Sequence, residues 1–204
     1  MGVLTDCGEL TGDAARVALT KTEDTTGDKY EDFPEDEDPE LDGAKVLVIA
    51  SQLKEFGNKA FKSADLELGL EKYQKGLRYL AEWPVPNDTD PAGQWEALQA
   101  LRFTLHSNSA LLQNKQKMYR DAEESATKAL LIEGIPEKDQ AKARYRRATA
   151  RIVLKDDEGA LADLKAADKA APGDGAIVRD LAATSERLAA KKEKEKEKIK
   201  KFFK

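Results

Sequence analysis

Apolar residues recur at three- and four-residue spacing across residues 44–190, which predicts a series of amphipathic helices. One stripe consists of Leu53, Phe56, Ala60 and Phe61, and the next consists of Leu66, Leu70, Tyr73, Leu77 and Leu80. The polar residues 62–65 separate the two stripes and predict a short turn. This part of the chain is therefore predicted to form a helical hairpin with two arms of similar length.

The hairpin pattern occurs three times, with small residues in the same register. Aligning Gly57, Ala110 and Ala148 places Gly69, Ala122 and Ala160 twelve residues later, and Gly76, Ala129 and Ala167 nineteen residues later. Antiparallel helices pack closely only where the residues at their crossing are small. Pro172 follows the third copy, where a helix should end. The alternative is an ordinary helical bundle in which the small residues coincide by chance.

The spacing resembles the 34-residue tetratricopeptide repeat (TPR). It predicts an all-α fold of seven helices: three TPR hairpins at about residues 50–83, 103–136 and 141–174, stacked in a right-handed superhelix, and a capping helix in residues 175–204. A Pro-rich insertion at 82–94 follows the first hairpin. Residues 1–43 are acidic and broken by prolines, so we expect a largely disordered linker there.

Charge is distributed unevenly along the chain, although the net charge is only -5. Residues 5–45 contain fourteen Asp or Glu and four Lys or Arg, whereas residues 191–204 contain eight Lys and three Glu. Elsewhere basic and acidic residues alternate, which argues against nucleic-acid binding. The single Cys cannot form an internal disulfide, and no apolar run is long enough for a membrane span. These features predict a cytoplasmic protein without a membrane partner.

Residues able to perform catalysis are scarce. His106 is the one histidine and Cys7 the one cysteine, and no phosphate-binding loop or metal-ligand spacing accompanies them. We interpret His106 as a packed or groove-edge helix residue. The acidic residues 31–40 lack the alternating ligands and central Gly of a calcium loop. The sequence predicts no catalytic residue, no metal site and no cofactor.

Polar residues recur instead on the first helix of each hairpin, which lines the concave side of stacked repeats. They are Lys54 and Asn58 in the first copy, Asn108 in the second, and Lys142 and Arg146 in the third. Each pair is spaced i,i+4 and shares one helical face. Three cations and two amides on facing helices form a suitable site for carboxylates, whose oxygens accept several hydrogen bonds.

These positions resemble the two-carboxylate clamp of TPR co-chaperones. The sequence KEFGN at 54–58 and the sequence KARYRRA at 142–148 carry the resemblance. It implies binding of the C-terminal Glu-Glu-Val-Asp of heat-shock protein 90 or 70. It further implies that Lys54, Asn58 and Asn108 hold the terminal α-carboxylate, that Lys142 holds the Asp side chain, and that Arg146 contacts the peptide just upstream.

A second resemblance concerns the start of the chain. DCGEL at 6–10 resembles the last strand of a cyclophilin, and DFPED at 32–36 resembles the linker that follows it in the cyclophilin-40 family. That family consists of TPR-containing peptidyl-prolyl isomerases that act with heat-shock protein 90, so the resemblance favours that partner over heat-shock protein 70. It also implies an isomerase domain upstream, and that this chain is not itself an enzyme.

The Lys-rich end admits two interpretations. Residues 191–198 are expected to continue the last helix as a solvated extension supported by Glu–Lys pairs. The following residues combine lysines with Ile199, Phe202 and Phe203. Such a mixture could instead bind calmodulin or another acidic partner.

Overall fold

The computed structural model describes residues 11–12, 24–37, 41–86, 88 and 90–203. Seven α-helices lie within these residues: α1 Gly43–Lys62, α2 Leu66–Ala81, α3 Gln94–Lys115, α4 Tyr119–Leu130, α5 Glu137–Leu154, α6 Asp157–Ala170 and α7 Gly175–Phe202. A 3-10 turn at Pro34–Asp36 precedes them. The described residues contain no strand, so the all-α prediction is confirmed for them.

The helices form three successive hairpins, α1 with α2, α3 with α4, and α5 with α6. Adjacent hairpins stack through α2 against α3 and α4 against α5, and α7 packs on α6. The first helices also contact one another, α1 with α3 and α3 with α5. As a result α1, α3 and α5 lie side by side along one side of the stack.

All three hairpins begin upstream of the predicted starts at 50, 103 and 141, and in the first two apolar burial continues into the preceding turns. In α1 this added turn contains Val46, and in α3 it contains Leu98, and both side chains are fully buried. Asp42 caps α1 by accepting a hydrogen bond from the backbone N–H of Lys45 at 2.8 Å. Equivalent Asp caps precede α2, α6 and α7.

The small residues in register lie where the helices cross. A Cβ atom on Gly57 would lie 2.4 Å from Cε1 of Tyr73, and one on Gly69 would lie 3.0 Å from Cδ1 of Leu112. The alanines at the equivalent positions, Ala110, Ala122, Ala129, Ala148, Ala160 and Ala167, are all fully buried. The register therefore reflects close helix packing, as the sequence predicted.

Residues 24–37 differ from the expectation of disorder, because they pack against the first hairpin. Asp28 is buried and its Oδ2 accepts hydrogen bonds from Nζ of Lys72 and Nζ of Lys75, each at 2.8 Å. The hydroxyl of Tyr79 donates to the carbonyl oxygen of Glu31 at 2.8 Å. The acidic residues that suggested a solvated linker therefore neutralise two buried lysines of α2. The strand-like residues 6–10 lie outside the described residues.

A second ionic cluster joins the second and third hairpins. Asp163 on α6 is buried and accepts hydrogen bonds from Arg147 at 2.6 Å and from Arg151 at 2.9 Å. Arg151 also donates to Glu123 on α4 at 2.8 Å. Two arginines of α5 thus connect the outer helices α4 and α6.

The close contact at Gly57 predicts a large effect of a single methyl group. We expect Gly57→Ala to lower the free energy of unfolding by about 1–3 kcal/mol, because the added Cβ must displace the buried ring of Tyr73. Gly175→Ala is the matched control, since nothing lies within 4 Å of a Cβ there. Urea denaturation of both variants measures the difference, and equal midpoints would contradict the packing assigned to Gly57.

The cluster around Asp28 predicts acid sensitivity. Burial opposes ionisation, but hydrogen bonds from Lys72 and Lys75 outweigh it and lower the pKa of Asp28. Hydrogen bonds from Lys72 and Thr26 likewise outweigh burial and lower the pKa of Asp24. These groups stabilise the fold fully above the unfolded carboxyl pKa of about 3.9, and that contribution is lost as pH falls towards the folded values.

We expect Asp28→Asn to cost about 1.5–3 kcal/mol near neutral pH, because two buried lysines lose their shared carboxylate and keep their ion pairs with Asp24 and Asp32. The variant should also lose less further stability than the wild type between about pH 4 and pH 2. Asp36→Asn, at an exposed position of the same segment, is the control. Parallel pH dependence of Asp28→Asn and the wild type in denaturant titrations would refute this account.

Candidate functional site

A groove of about 870 Å³ opens between α3 and α5 and extends to the beginning of α7. Its wall on α3 includes Thr104, Ser107, Asn108 and Leu111, its wall on α5 includes Lys142, Tyr145 and Arg146, and Ile177 of α7 closes one end. The helical spacing places these residues on one face of each helix. The groove is therefore the concave face of the second and third hairpins.

Three of the five residues predicted to bind carboxylates line this groove: Asn108, Lys142 and Arg146. Nη1 of Arg146 donates to Oδ1 of Asn108 at 3.2 Å and to Oγ of Ser107 at 2.6 Å. Burial lowers the pKa of Arg146 to about 10, so the guanidinium remains charged at neutral pH. Lys142 lies exposed one turn before it on the same face. The groove thus presents two cations and an amide to a ligand.

Lys54 and Asn58 lie on α1, beyond the walls of that groove. Nζ of Lys54 is 3.2 Å from Oε1 of Glu55, and Nδ2 of Asn58 donates to Oε2 of Glu55 at 3.4 Å. The hydrogen bond from Lys54 lowers the pKa of Glu55. Because Glu55 is exposed, these contacts contribute little to stability. Two of the predicted donors therefore already share one carboxylate.

Tyr73 of α2 connects the two sets of predicted residues. Its hydroxyl donates to Oδ1 of Asn58 at 2.8 Å and lies near enough to Asn108 and Arg146 of the groove to interact with them electrostatically. Burial raises the pKa of Tyr73, so the hydroxyl stays protonated. The sequence indicated only a packing role for Tyr73, because a tyrosine in an apolar stripe looks the same as a phenylalanine.

Two further groove residues escaped the sequence analysis. Nδ2 of Asn114 donates to the carbonyl oxygen of Arg146 at 2.8 Å, and Oδ1 of Asn114 is buried without a hydrogen-bond partner. Nζ of Lys115 lies 5.7 Å from the ring centroid of Phe61 on α1. Both residues lie one to two turns after Asn108 on α3, so their spacing could have indicated them as groove residues.

His106 lies away from this groove. It lines a separate cavity of about 340 Å³ between α2, α3 and α4, and burial lowers its pKa to about 4. Cys7 lies outside the described residues. Within the described part of the chain, no group of His, Cys, Asp or Glu is arranged to hold a metal ion. No helix there has the length and apolar character to cross a membrane.

The Lys-rich end continues α7 as a helix to Phe202. The side chains of Ile199, Phe202 and Phe203 are 58%, 85% and 81% exposed. Nζ of Lys196 is 2.7 Å from Oε1 of Glu193, which is a Glu–Lys pair at i,i+3 spacing, whereas the sequence predicted i,i+4 pairs. The partner predicted for this end, calmodulin or another acidic protein, stays a prediction.

Curated relatives match most of the chain, whereas no family model matches it. Peptidyl-prolyl cis-trans isomerase D of Cryptococcus neoformans is 38% identical over 185 residues, which cover 87% of this chain and 49% of that protein. The protein of the same name from Mycosarcoma maydis is 38% identical over 206 residues, which cover 92% and 52%. The chain spans about half the length of these relatives.

Solved structures with the same fold are TPR domains. The C-terminal TPR-containing domain of a putative Plasmodium falciparum FK506-binding protein has a TM-score of 0.66 and 22% identity, over 75% of this chain and 97% of that one. The first TPR of Spaghetti (RPAP3) bound to the HSP90 peptide SRMEEVD has a TM-score of 0.54 and 26% identity, over 73% and 97%.

The second TPR domain of human RPAP3, in complex with the HSP70 peptide SGPTIEEVD, has a TM-score of 0.52 and 23% identity, over 71% and 98%. These likenesses confirm the three predicted TPR hairpins. The chain therefore contains a tetratricopeptide-repeat domain and is homologous, over most of its length, to part of the peptidyl-prolyl cis-trans isomerase D proteins.

Proposed function

We propose that this chain is a co-chaperone module that binds the C-terminal Glu-Glu-Val-Asp of heat-shock protein 90 through a two-carboxylate clamp. The clamp consists of Lys54, Asn58, Asn108, Lys142 and Arg146. The observation that carries the proposal is the charged, largely buried guanidinium of Arg146, which lies beside Asn108 in an open groove with Lys142 on the same helical face. An anionic ligand would compensate the cost of burying this cation.

The other charges of the groove favour an acidic peptide over other ligands. Lys115 and Lys138 add two cations to its walls, whereas Asp139 and Asp174 are its acidic residues. Asp174 is engaged in capping α7, because its Oδ1 accepts from the backbone N–H of Ala176 at 2.9 Å. An extended chain ending in two adjacent carboxylates would meet donors along most of the groove.

The structural neighbours support this choice of ligand and also supply the alternative. Of the two RPAP3 domains, one is bound to an HSP90 peptide and the other to an HSP70 peptide, and both peptides end in Glu-Glu-Val-Asp. The proposed clamp binds the Glu-Glu-Val-Asp that both peptides share, so the same groove could hold the tail of heat-shock protein 70 or another acidic peptide. We favour heat-shock protein 90 because of the likeness to the cyclophilin-40 family.

The relatives' name describes an isomerase, but the chain matches only about half of each. We propose that this chain supplies the binding part, and that isomerase activity belongs to a part of such proteins that it does not span. The experiment is to assay the chain for proline isomerisation in a chromogenic peptide. Activity at the level of a cyclophilin would contradict this division.

We expect Lys142→Glu to weaken binding of the peptide SRMEEVD by at least tenfold, since losing a charge-assisted contact costs about 1.5–3 kcal/mol and the new carboxylate repels the ligand. The unfolding midpoint should change little because Lys142 is exposed. Lys165→Glu, an exposed lysine on α6, is the matched control for charge. Isothermal calorimetry showing equal losses in both variants would rule out the assigned site.

Amidation of the peptide's C-terminus should weaken binding more than any single substitution upstream. It removes the terminal charge and turns an acceptor into a donor that faces other donors, which costs roughly 2–4 kcal/mol, or about thirtyfold or more in Kd. Binding of the free acid should also weaken as salt rises, because the groove is open to solvent and dissolved ions screen its ion pairs over about a Debye length. If the groove instead binds acidic helices in general, the free acid and the amide will have similar dissociation constants.

A further inference from the structure

We propose that Tyr73 is a positioning residue that holds the amide of Asn58 with its nitrogen available to the carboxylate of the ligand. The inference rests on the proposed function, since it concerns how the same site selects a carboxylate. The geometry that carries it is the 2.8 Å hydrogen bond from the Tyr73 hydroxyl to Oδ1 of Asn58. Tyr73 is 2% exposed, so the ligand would bind without touching its hydroxyl directly.

Two hydrogen bonds orient the two amides of the site in the same way. A guanidinium has only donors, so Arg146 must donate to Asn108, and it does so to Oδ1 at 3.2 Å. The amide of Asn108 is thereby left with its nitrogen as the free group. On α1, the hydroxyl of Tyr73 donates to Oδ1 of Asn58 and leaves the nitrogen of that amide facing the other way. Arg146 and Tyr73 thus each hold the oxygen of one amide of the site.

The direction of these hydrogen bonds matters because an asparagine side chain can present either its oxygen or its nitrogen to the ligand. With Oδ1 facing a carboxylate, two acceptors would oppose each other, whereas with Nδ2 facing it a hydrogen bond forms. Without Tyr73 only the 3.4 Å hydrogen bond to the exposed Glu55 would orient the amide of Asn58, so its two orientations would compete and a fraction of the protein would be unable to bind. The apparent affinity falls in proportion to the fraction of the protein in which Asn58 is oriented for binding.

Tyr73 is held in place by packing rather than by the hydrogen bond. Its ring fills the space left by the missing side chain of Gly57, where a Cβ would lie 2.4 Å from Cε1. The ring also belongs to the core that includes Leu70, Leu105 and Leu112. Replacing the tyrosine by phenylalanine should therefore remove the hydroxyl while the ring stays in place.

The test compares Tyr73→Phe with the wild type in binding SRMEEVD as the free acid and as the C-terminal amide. Tyr79→Phe is the matched control, because it removes a buried hydroxyl from the same helix, one that donates to Glu31 and Glu37 and contacts no clamp residue. Calorimetry gives the dissociation constants of both peptides for each variant, and thermal unfolding shows whether each variant is folded.

In Tyr73→Phe we expect the free acid to bind about three- to tenfold more weakly, in the range of one lost hydrogen bond. The amide should lose less, since its NH2 group can donate to a flipped Asn58. The dissociation constant of the amide divided by that of the free acid should therefore fall, by up to the three- to tenfold lost by the free acid, whereas this ratio should be unchanged in Tyr79→Phe. A purely structural role for the hydroxyl would weaken both peptides equally.

The outcomes separate this inference from the proposed function. If the wild type fails to prefer the free acid, the clamp itself is wrong and the inference with it. If the wild type prefers the free acid and Tyr73→Phe keeps the same ratio, only the role of Tyr73 is refuted. Should Tyr73→Phe not fold, the side-chain amide signals of Asn58 in the wild type decide. They should shift more with the free acid than with the amide at saturation, and equal shifts would overturn the proposal.

Discussion

The absence of a side chain at Gly57 is the constraint on which the first hairpin and the binding site both depend. Because α1 has no Cβ at this point, the ring of Tyr73 can enter the crossing between α1 and α2. The same ring carries the hydroxyl that reaches Asn58, the next residue along α1. Gly57, which the sequence marks as a packing position, thus also determines where the amide of Asn58 is held.

Much of the fold could be predicted because close helix crossings leave a regular trace in the sequence. The recurrence of Gly57, Ala110 and Ala148 gave the hairpin register, and the turn at 62–65 followed from its polar composition. Four of the five predicted clamp residues stand in i,i+4 pairs on first helices, and Asn108 joined them through the resemblance to the clamp of TPR co-chaperones. The structure brings Asn108, Lys142 and Arg146 to one groove and connects Asn58 to them through Tyr73.

What the sequence could not predict depends on partners that are distant along the chain. Residues 24–37 looked solvated because their carboxylates have few basic neighbours in sequence, yet Asp28 meets Lys72 and Lys75 across more than forty residues. The hydrogen bond of Tyr73 could not be foreseen either. The spacing of apolar residues indicates which face of a helix is buried, but it does not indicate what the hydroxyl at the end of a tyrosine side chain contacts. The orphaned Oδ1 of Asn114 is a third case.

The central claim is that side-chain donors of α1 and α3 converge on the terminal carboxylate of a peptide, while α5 holds the Asp side chain and the residues upstream. A crystal structure of the chain with SRMEEVD tests it most directly. The account predicts the terminal carboxylate within about 3 Å of Nδ2 of both Asn58 and Asn108, with the carbonyl oxygens of these amides still bound to Tyr73 and Arg146. A peptide that lies elsewhere, or that enters the groove with its C-terminus away from these amides, would contradict it.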